Sequence, residues 1–122
     1  MKIAIFGING QLGCDVAVAL GAHDVVPIDH ERADIRDADS VTRVVRNAHA
    51  AWVVNCAAMT HVDGCESDPS AAFDANALGA RNLSRAATAA GARLLHVSTD
   101  YVFDGAKNAP YLEDDFPRPL NI

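Results

Sequence analysis

The sequence predicts an α/β fold, a doubly wound parallel sheet with helices on both faces, and three observations carry that expectation. The chain opens on a short apolar run, Lys2-Ile3-Ala4-Ile5-Phe6, that breaks at Gly7. Glycine returns at Gly10 and Gly13, just before an alanine- and valine-rich segment, Val16 to Leu20, that stops at Gly21. Apolar runs then alternate with helical patterns along the chain, as parallel strands joined by helical crossovers require.

The first strand, glycine turn and helix form one unit. Gly7 lets the chain leave the strand in a conformation that a Cβ forbids. Gly10 lets a phosphate approach the backbone, and Gly13 lets the helix pack closely on the strand. The first helical N–H groups point into the turn, where the helix dipole favours an anion such as a pyrophosphate.

The second strand is expected over His23–Asp29, with Pro27 suited to a strand end or a sheet edge. Asp29 closes it about 20 residues past the glycine turn, where an acid hydrogen-bonds the adenosine ribose and favours NAD over its 2′-phosphorylated form. His30 and Arg32 follow and soften that preference. A helix is expected from about Ser40 to Asn47, capped by Asp37 or Asp39, with Val41, Val44 and Val45 as its apolar stripe. The third strand, Ala51 to Cys56, is apolar until Asn55. The small residues Ala57 and Ala58 after it fit close approach of a planar ligand, and equally tight packing.

Val62 to Ser67 reads as a short helical turn, and Ser67 or Asp68 then caps a long helix with Pro69 at its first position. Helical spacing places Phe73, Asn76, Ala77, Ala80, Leu83, Ser84 and Ala87 on one face, so Asn76 requires a buried partner. Gly91 ends that helix. The fourth strand, Arg93 to Val97, leads into Ser98-Thr99-Asp100, a polar cluster at the end where open α/β sheets bind ligands. The glycine turn, Asp29, Ala57 and Thr99 are expected along that edge. Residues 106–122 read as loop, with three prolines and the acids Glu113, Asp114 and Asp115.

Composition narrows the function. At 122 residues the chain is at most one domain, and with half of it hydrophobic it builds a core. A net charge of −6 argues against a general nucleic-acid or membrane-surface binder. The amino terminus reads as a strand and carries no secretory pattern, so a cytoplasmic protein is expected. Cys14, Cys56 and Cys65 are odd in number and lack metal-ligand spacing; small buried thiols are expected, and no metal site.

Gly7-x-x-Gly10-Gln11-Leu12-Gly13 is similar to the opening of the extended short-chain dehydrogenase/reductases. Asn55-Cys56-Ala57-Ala58-Met59-Thr60-His61-Val62-Asp63 with Glu66, and Ser98-Thr99-Asp100-Tyr101-Val102-Phe103-Asp104-Gly105, resemble the dTDP-4-dehydrorhamnose reductase family within that group. The resemblance covers essentially the whole chain. It implies a Rossmann-type sheet, NADH or NADPH as cofactor, and reduction of the C4 ketone of a sugar-nucleotide substrate in dTDP-rhamnose biosynthesis. Gly10, Gln11 and Leu12 would hold the pyrophosphate and Asp29 the adenosine ribose. Asp34 and Ile35 would flank the adenine, Ala57, Ala58 and Met59 would line the cofactor, and Val97 would lie beside the nicotinamide. Thr99 would be the catalytic hydroxyl, and Asp100 would help hold the sugar nucleotide.

Such enzymes use a tyrosine with a lysine four residues later as the proton-donating pair. In the family that tyrosine follows Pro-x-Asn-(Val/Ile), which Pro119-Leu120-Asn121-Ile122 matches at the end of the chain. Residues 1–105 are therefore expected to be the cofactor-binding portion and 106–122 a loop leading to the missing pair. The sheet is expected to be incomplete at four strands, with the fourth beside the first. Later strands, a substrate domain and turnover are not expected from these 122 residues. An apolar edge left open invites pairing, so a homodimer or other association through that edge is expected. The alternative is a non-catalytic dinucleotide-binding or regulatory module, resembling the methionine adenosyltransferase β subunit.

Overall fold

The computed structural model describes residues 1–122. Four strands form one all-parallel sheet: β1 (Lys2–Phe6), β2 (Asp24–Ile28), β3 (Trp52–Asn55) and β4 (Arg93–His96), in the order β2-β1-β3-β4. The helices are α1 (Gln11–Ala19), α2 (Ala38–Ala48), α3 (Val62–Ser67), α4 (Pro69–Phe73) and α5 (Gly79–Ala89). A π-helical turn over Asp74–Leu78 joins α4 to α5. No helix is long and apolar enough to cross a membrane.

Period-two alternation in β1 splits the core in two. Ile3 and Ile5 face α1 and pack with Val54 against Val16, Ala17 and Leu20. Ala4 and Phe6 point to the other face, into a cluster with Ile28, Val41, Val45, Val53 and Leu83 from β2, α2, β3 and α5. The doubly wound arrangement expected from the sequence is therefore present.

The strand order corrects one expectation: β3, not β4, lies beside β1. Two features near β2 explain it. Ala33 and Ile35 after β2 are buried as irregular backbone in the α2/α5 core, so no strand forms there. Pro27 lies on the outer edge of β2, where it has no N–H to offer, and its carbonyl accepts from Arg32 Nη1 at 2.8 Å. The α2 crossover therefore carries the chain back over β1 to its other edge, and β4 adds beyond β3.

Helix starts follow the sequence closely. Asp37 caps α2, accepting from the N–H groups of Asp39 and Ser40. Asp68 caps α4 by accepting from Ala71 N–H, with Pro69 at the first turn. Gly91 takes φ +68° just past α5.

The expected single face along residues 73–87 is not continuous. Leu83 and Ala87 are buried, but Phe73, Asn76, Ala77 and Ser84 are exposed and Ala80 is half-buried. The π turn adds a residue within the helix and rotates the downstream turns by about 100°. The cysteine expectation also changes: only Cys65 is buried, Cys56 is half-buried and Cys14 exposed.

Candidate functional site

Strand register brings the expected residues to one edge. Phe6 is level with Ile28 and Asn55, and Asn55 with His96. The chain therefore leaves the sheet at Gly7, Asp29, Cys56 and Val97 on one side. Successive crossovers run in opposite directions from β1 and β3, which makes the gap between them the switch point where such sheets bind ligands.

The glycine turn fills that gap by backbone contact. Gly7 has φ +75°, and a Cβ there would lie 2.7 Å from Ala57 N. A Cβ on Gly13 would lie 2.1 Å from Gly7 O, so α1 sits directly on the turn. Gly10 stands at the start of α1 and supplies no side-chain cap, and the first turn of the helix holds no acid. By contrast, α2, α3 and α4 are each capped by a side chain: Asp37, His61 and Asp68. The leading N–H groups of α1, around Gln11 and Leu12, are thus left for an anion. An anionic group such as a pyrophosphate suits this cradle in charge.

At the end of β2, Asp29 Oδ1 accepts from Arg32 N–H at 2.8 Å, which leaves Oδ2 without a protein partner. The nearby cations are engaged. Arg32 reaches back to Pro27, and Arg36 forms a two-pronged pair with Asp34 at 2.7–2.9 Å. The hydrogen bonds from Arg36 hold the Asp34 carboxyl below its ordinary range. His30 Nε2 lies 3.8 Å from the same carboxylate. The Ile35 side chain is buried against Gly79, so only its backbone is left near a ligand.

Asn82, which no sequence motif marks, is buried on α5. Its Nδ2 donates to Ile35 O at 3.0 Å and Arg36 O at 3.2 Å, fixing the loop that carries Asp34. The sequence signal is a polar residue beside the buried Leu83.

At the end of β3, buried Asn55 does two things. Its Oδ1 accepts from Ala57 N–H at 3.0 Å, and its Nδ2 lies 2.9 Å from His96 Nδ1 on β4. It thereby shapes the small-residue turn and ties it to the next strand. Asn76, on the π turn, holds Met59 from the other side: Oδ1 accepts from Met59 N–H at 2.8 Å and Nδ2 donates to Met59 O at 3.0 Å. The sequence required a buried partner for Asn76. It has a backbone partner, at the surface, because the π turn rotates it out of the helix core. Burial alone pushes the Cys56 thiol up, away from a reactive thiolate.

At the end of β4, Val97, Thr99 and Asp100 are exposed. Thr99 caps a 3-10 turn over Asp100–Val102: its Oγ1 accepts from Tyr101 N–H at 3.2 Å and donates to Asp100 Oδ1 at 3.3 Å. The hydroxyl is held, its O–H directed at the Asp100 carboxylate. Asp100 and Tyr101 line a shallow cavity together with Tyr111, Leu120 and Asn121.

A family model described as the RmlD substrate binding domain matches residues 1–122. A dTDP-4-dehydrorhamnose reductase from Burkholderia thailandensis is 42% identical over 122 residues, which cover 99% of this chain and 41% of that protein. A solved structure of a dTDP-4-dehydrorhamnose reductase from Clostridium acetobutylicum superposes with a TM-score of 0.95 at 40% identity, covering 99% of this chain and 44% of that one. Another from Bacillus anthracis, solved in complex with NADP, gives a TM-score of 0.94 at 38% identity, covering 98% of this chain and 44% of that one. The chain spans less than half the length of each of these relatives.

Proposed function

This chain belongs to the RmlD substrate binding domain family, and from that premise we propose that it is the cofactor-binding part of an NAD(P)H-dependent sugar-nucleotide reductase. The reaction is reduction of the C4 ketone of dTDP-4-dehydro-6-deoxy-L-mannose to dTDP-L-rhamnose. The relatives' names support this, as does the NADP bound to the Bacillus anthracis structure. The observation that carries it in this chain is the uncapped start of α1 over the Gly7-Gly10-Gly13 turn at the β1/β3 switch point.

When bound, the reduced nicotinamide supplies a hydride. The chain's own residues bind and orient. The N–H groups around Gly10, Gln11 and Leu12 hold the pyrophosphate, and Asp29 Oδ2 accepts from an adenosine ribose hydroxyl. Asp34 and the Ile35 backbone border the adenine. Ala57, Ala58 and Met59, fixed by Asn55 and Asn76, form the floor, with Val97 on the nicotinamide side. Thr99 Oγ1 turns its proton from Asp100 toward the ketone oxygen and stabilises the negative charge developing there. Asp100 then accepts from a sugar-nucleotide hydroxyl. The residues four after Tyr101 and Tyr111 are Gly105 and Asp115, so neither tyrosine forms a Tyr-x-x-x-Lys pair. We assign the proton donor to neither.

Fluorescence titration of the purified chain with NADH and NADPH is the test. Saturable binding of either is expected, and its loss on Gly13→Ala. No saturable binding of either nucleotide up to millimolar concentration would overturn the cofactor assignment. Turnover of the keto-sugar by the 122 residues alone would show that a group within them donates the proton.

A further inference from the structure

The segment after the Thr99 turn contains no helix or strand, yet it is closed on itself. Arg118 N–H donates to Val102 O at 2.8 Å, so residues 103–117 leave and return at one point. Such a compact surface excursion of roughly 6–16 residues, packed by its own side chains, is an Ω loop. Its filling is specific. The Tyr111 ring stacks on Phe103 with centroids 4.0 Å apart and planes 7° from parallel. The Tyr111 hydroxyl donates to Asp104 Oδ1 and accepts from Lys107 N–H, each at 3.3 Å. Asp104 also accepts from Ala106 N–H at 2.9 Å, and Arg118 Nη1 lies 3.6 Å from its other oxygen. Lys107 sits over the Tyr111 ring and pairs with Asp115, which accepts from Leu112 N–H.

This loop is flanked by Thr99-Asp100-Tyr101 on one side and residues 119–122 on the other. The second flank is pinned again where Ile122 N–H donates to Glu66 Oε1 at 2.8 Å. Asp100, Tyr101, Leu120 and Asn121 line one cavity together with Phe103 and Tyr111. The loop thus sets the separation between the turn that follows β4 and the 119–122 segment.

We propose that Tyr111 and Asp104 are positioning residues: through the Ω loop they hold the Thr99–Asp100 turn at a fixed distance from the 119–122 segment, so that both border one sugar-nucleotide site. This rests on the roles given above to Thr99 and Asp100. Neither Tyr111 nor Asp104 need touch the substrate.

Amide NMR of the 122-residue chain tests it, using Tyr111→Phe, which keeps the ring stack, Asp104→Ala, which removes the acceptor, and Asp104→Asn, which keeps Oδ1. Tyr111→Phe and Asp104→Ala are expected to speed exchange of the Arg118 N–H at least tenfold. They should also shift the Thr99, Asp100 and Asn121 signals together, while those of Gly7 to Gly13 stay in place. Asp104→Asn is expected to restore most of the Thr99 and Asn121 positions. Unchanged Thr99, Asp100 and Asn121 signals would overturn the proposal, whether Arg118 exchange rises or not. If Tyr111→Phe also disturbs the β1 signals, the two Asp104 variants decide. NADPH titration of the unvaried chain reports separately on the cofactor assignment, so a failure there is distinguishable from a failure of the clamp.

Discussion

At the β1/β3 end of the sheet, backbone meets backbone: Gly7 against Ala57, and Gly13 against Gly7, at distances that leave no room for a methyl group. At the β4 end, residues 98–122 are held by side chains near the surface, through Thr99, Asp104, Tyr111 and Asp115. The first region is a steric fit and fails abruptly. The second is a set of polar links in contact with water, each replaceable in part by solvent, and it yields in steps. In the function proposed above, the rigid cradle holds the pyrophosphate, which takes no part in the chemistry, and the graded loop borders the sugar nucleotide.

The largest test of this contrast is Gly13→Ala. Its Cβ would fall 2.1 Å from a backbone oxygen that cannot move without shifting Gly7. A loss of about 3 kcal/mol or more is expected, the upper end of what overpacking costs, and saturable NADPH binding should disappear with it. Urea denaturation and nucleotide titration measure both, and a mild effect would show that the turn is softer than its geometry. Asn55→Ala comes next. It removes the acceptor for Ala57 N–H from a buried position, and about 1–3 kcal/mol is expected. Weaker NADPH binding with an unchanged β-sheet circular dichroism signal would sharpen the contrast.

The third test is Asp115→Ala, which removes the Lys107 partner and the acceptor for Leu112 N–H. No measurable change in the denaturation midpoint is expected, but faster proteolysis within 106–117 is. A large loss of global stability would break the comparison. The smallest effect is pH. The Ala106 N–H, ahead of Tyr111 and Arg118, holds Asp104 below its ordinary value of 3.8, and the Lys107 hydrogen bond does the same for Asp115. A depressed carboxyl stabilises its links fully above the ordinary value and loses them as pH falls through the depressed one. The loop is therefore expected to be insensitive above about pH 5 and to loosen as pH falls below 3.8 toward the depressed values. Ala106 and Leu112 amide exchange across that range reads it, with the Gly7–Gly13 signals as the reference.

Much of this was legible in the sequence where local rules decide. The β1–glycine–helix unit, the Asp37 and Asp68 caps, and Gly91 at a positive φ all follow from neighbours in the chain. The rest depends on encounters between distant segments. Asn82 looks like any helical asparagine until α5 meets the carbonyls of Ile35 and Arg36. The position of β4 depends on which edge of β1 the α2 crossover selects. The π turn escapes a search at 3.6-residue spacing because it breaks that spacing, and with it the expected shared face of Phe73, Asn76 and Ser84. The closed loop at 103–117 read only as proline-rich coil, since its links join side chains that no periodicity relates.

Toward other sheets, a sheet behaves like a monomer with as many reactive ends as it has open edges. In β2 the groups of Asp24 and Ile28 turn toward β1, accepting or donating to it, so Val25 and Pro27 face outward. That edge lacks one N–H and has one carbonyl already taken by Arg32. In β4, Arg93 and Val97 donate to β3, so Leu94 and His96 present both their groups outward. The two edges of these four strands are therefore unlike: the β2 edge is blocked at Pro27, and the β4 edge offers pairing groups at both Leu94 and His96. The β4 edge is the one with which a further strand would pair.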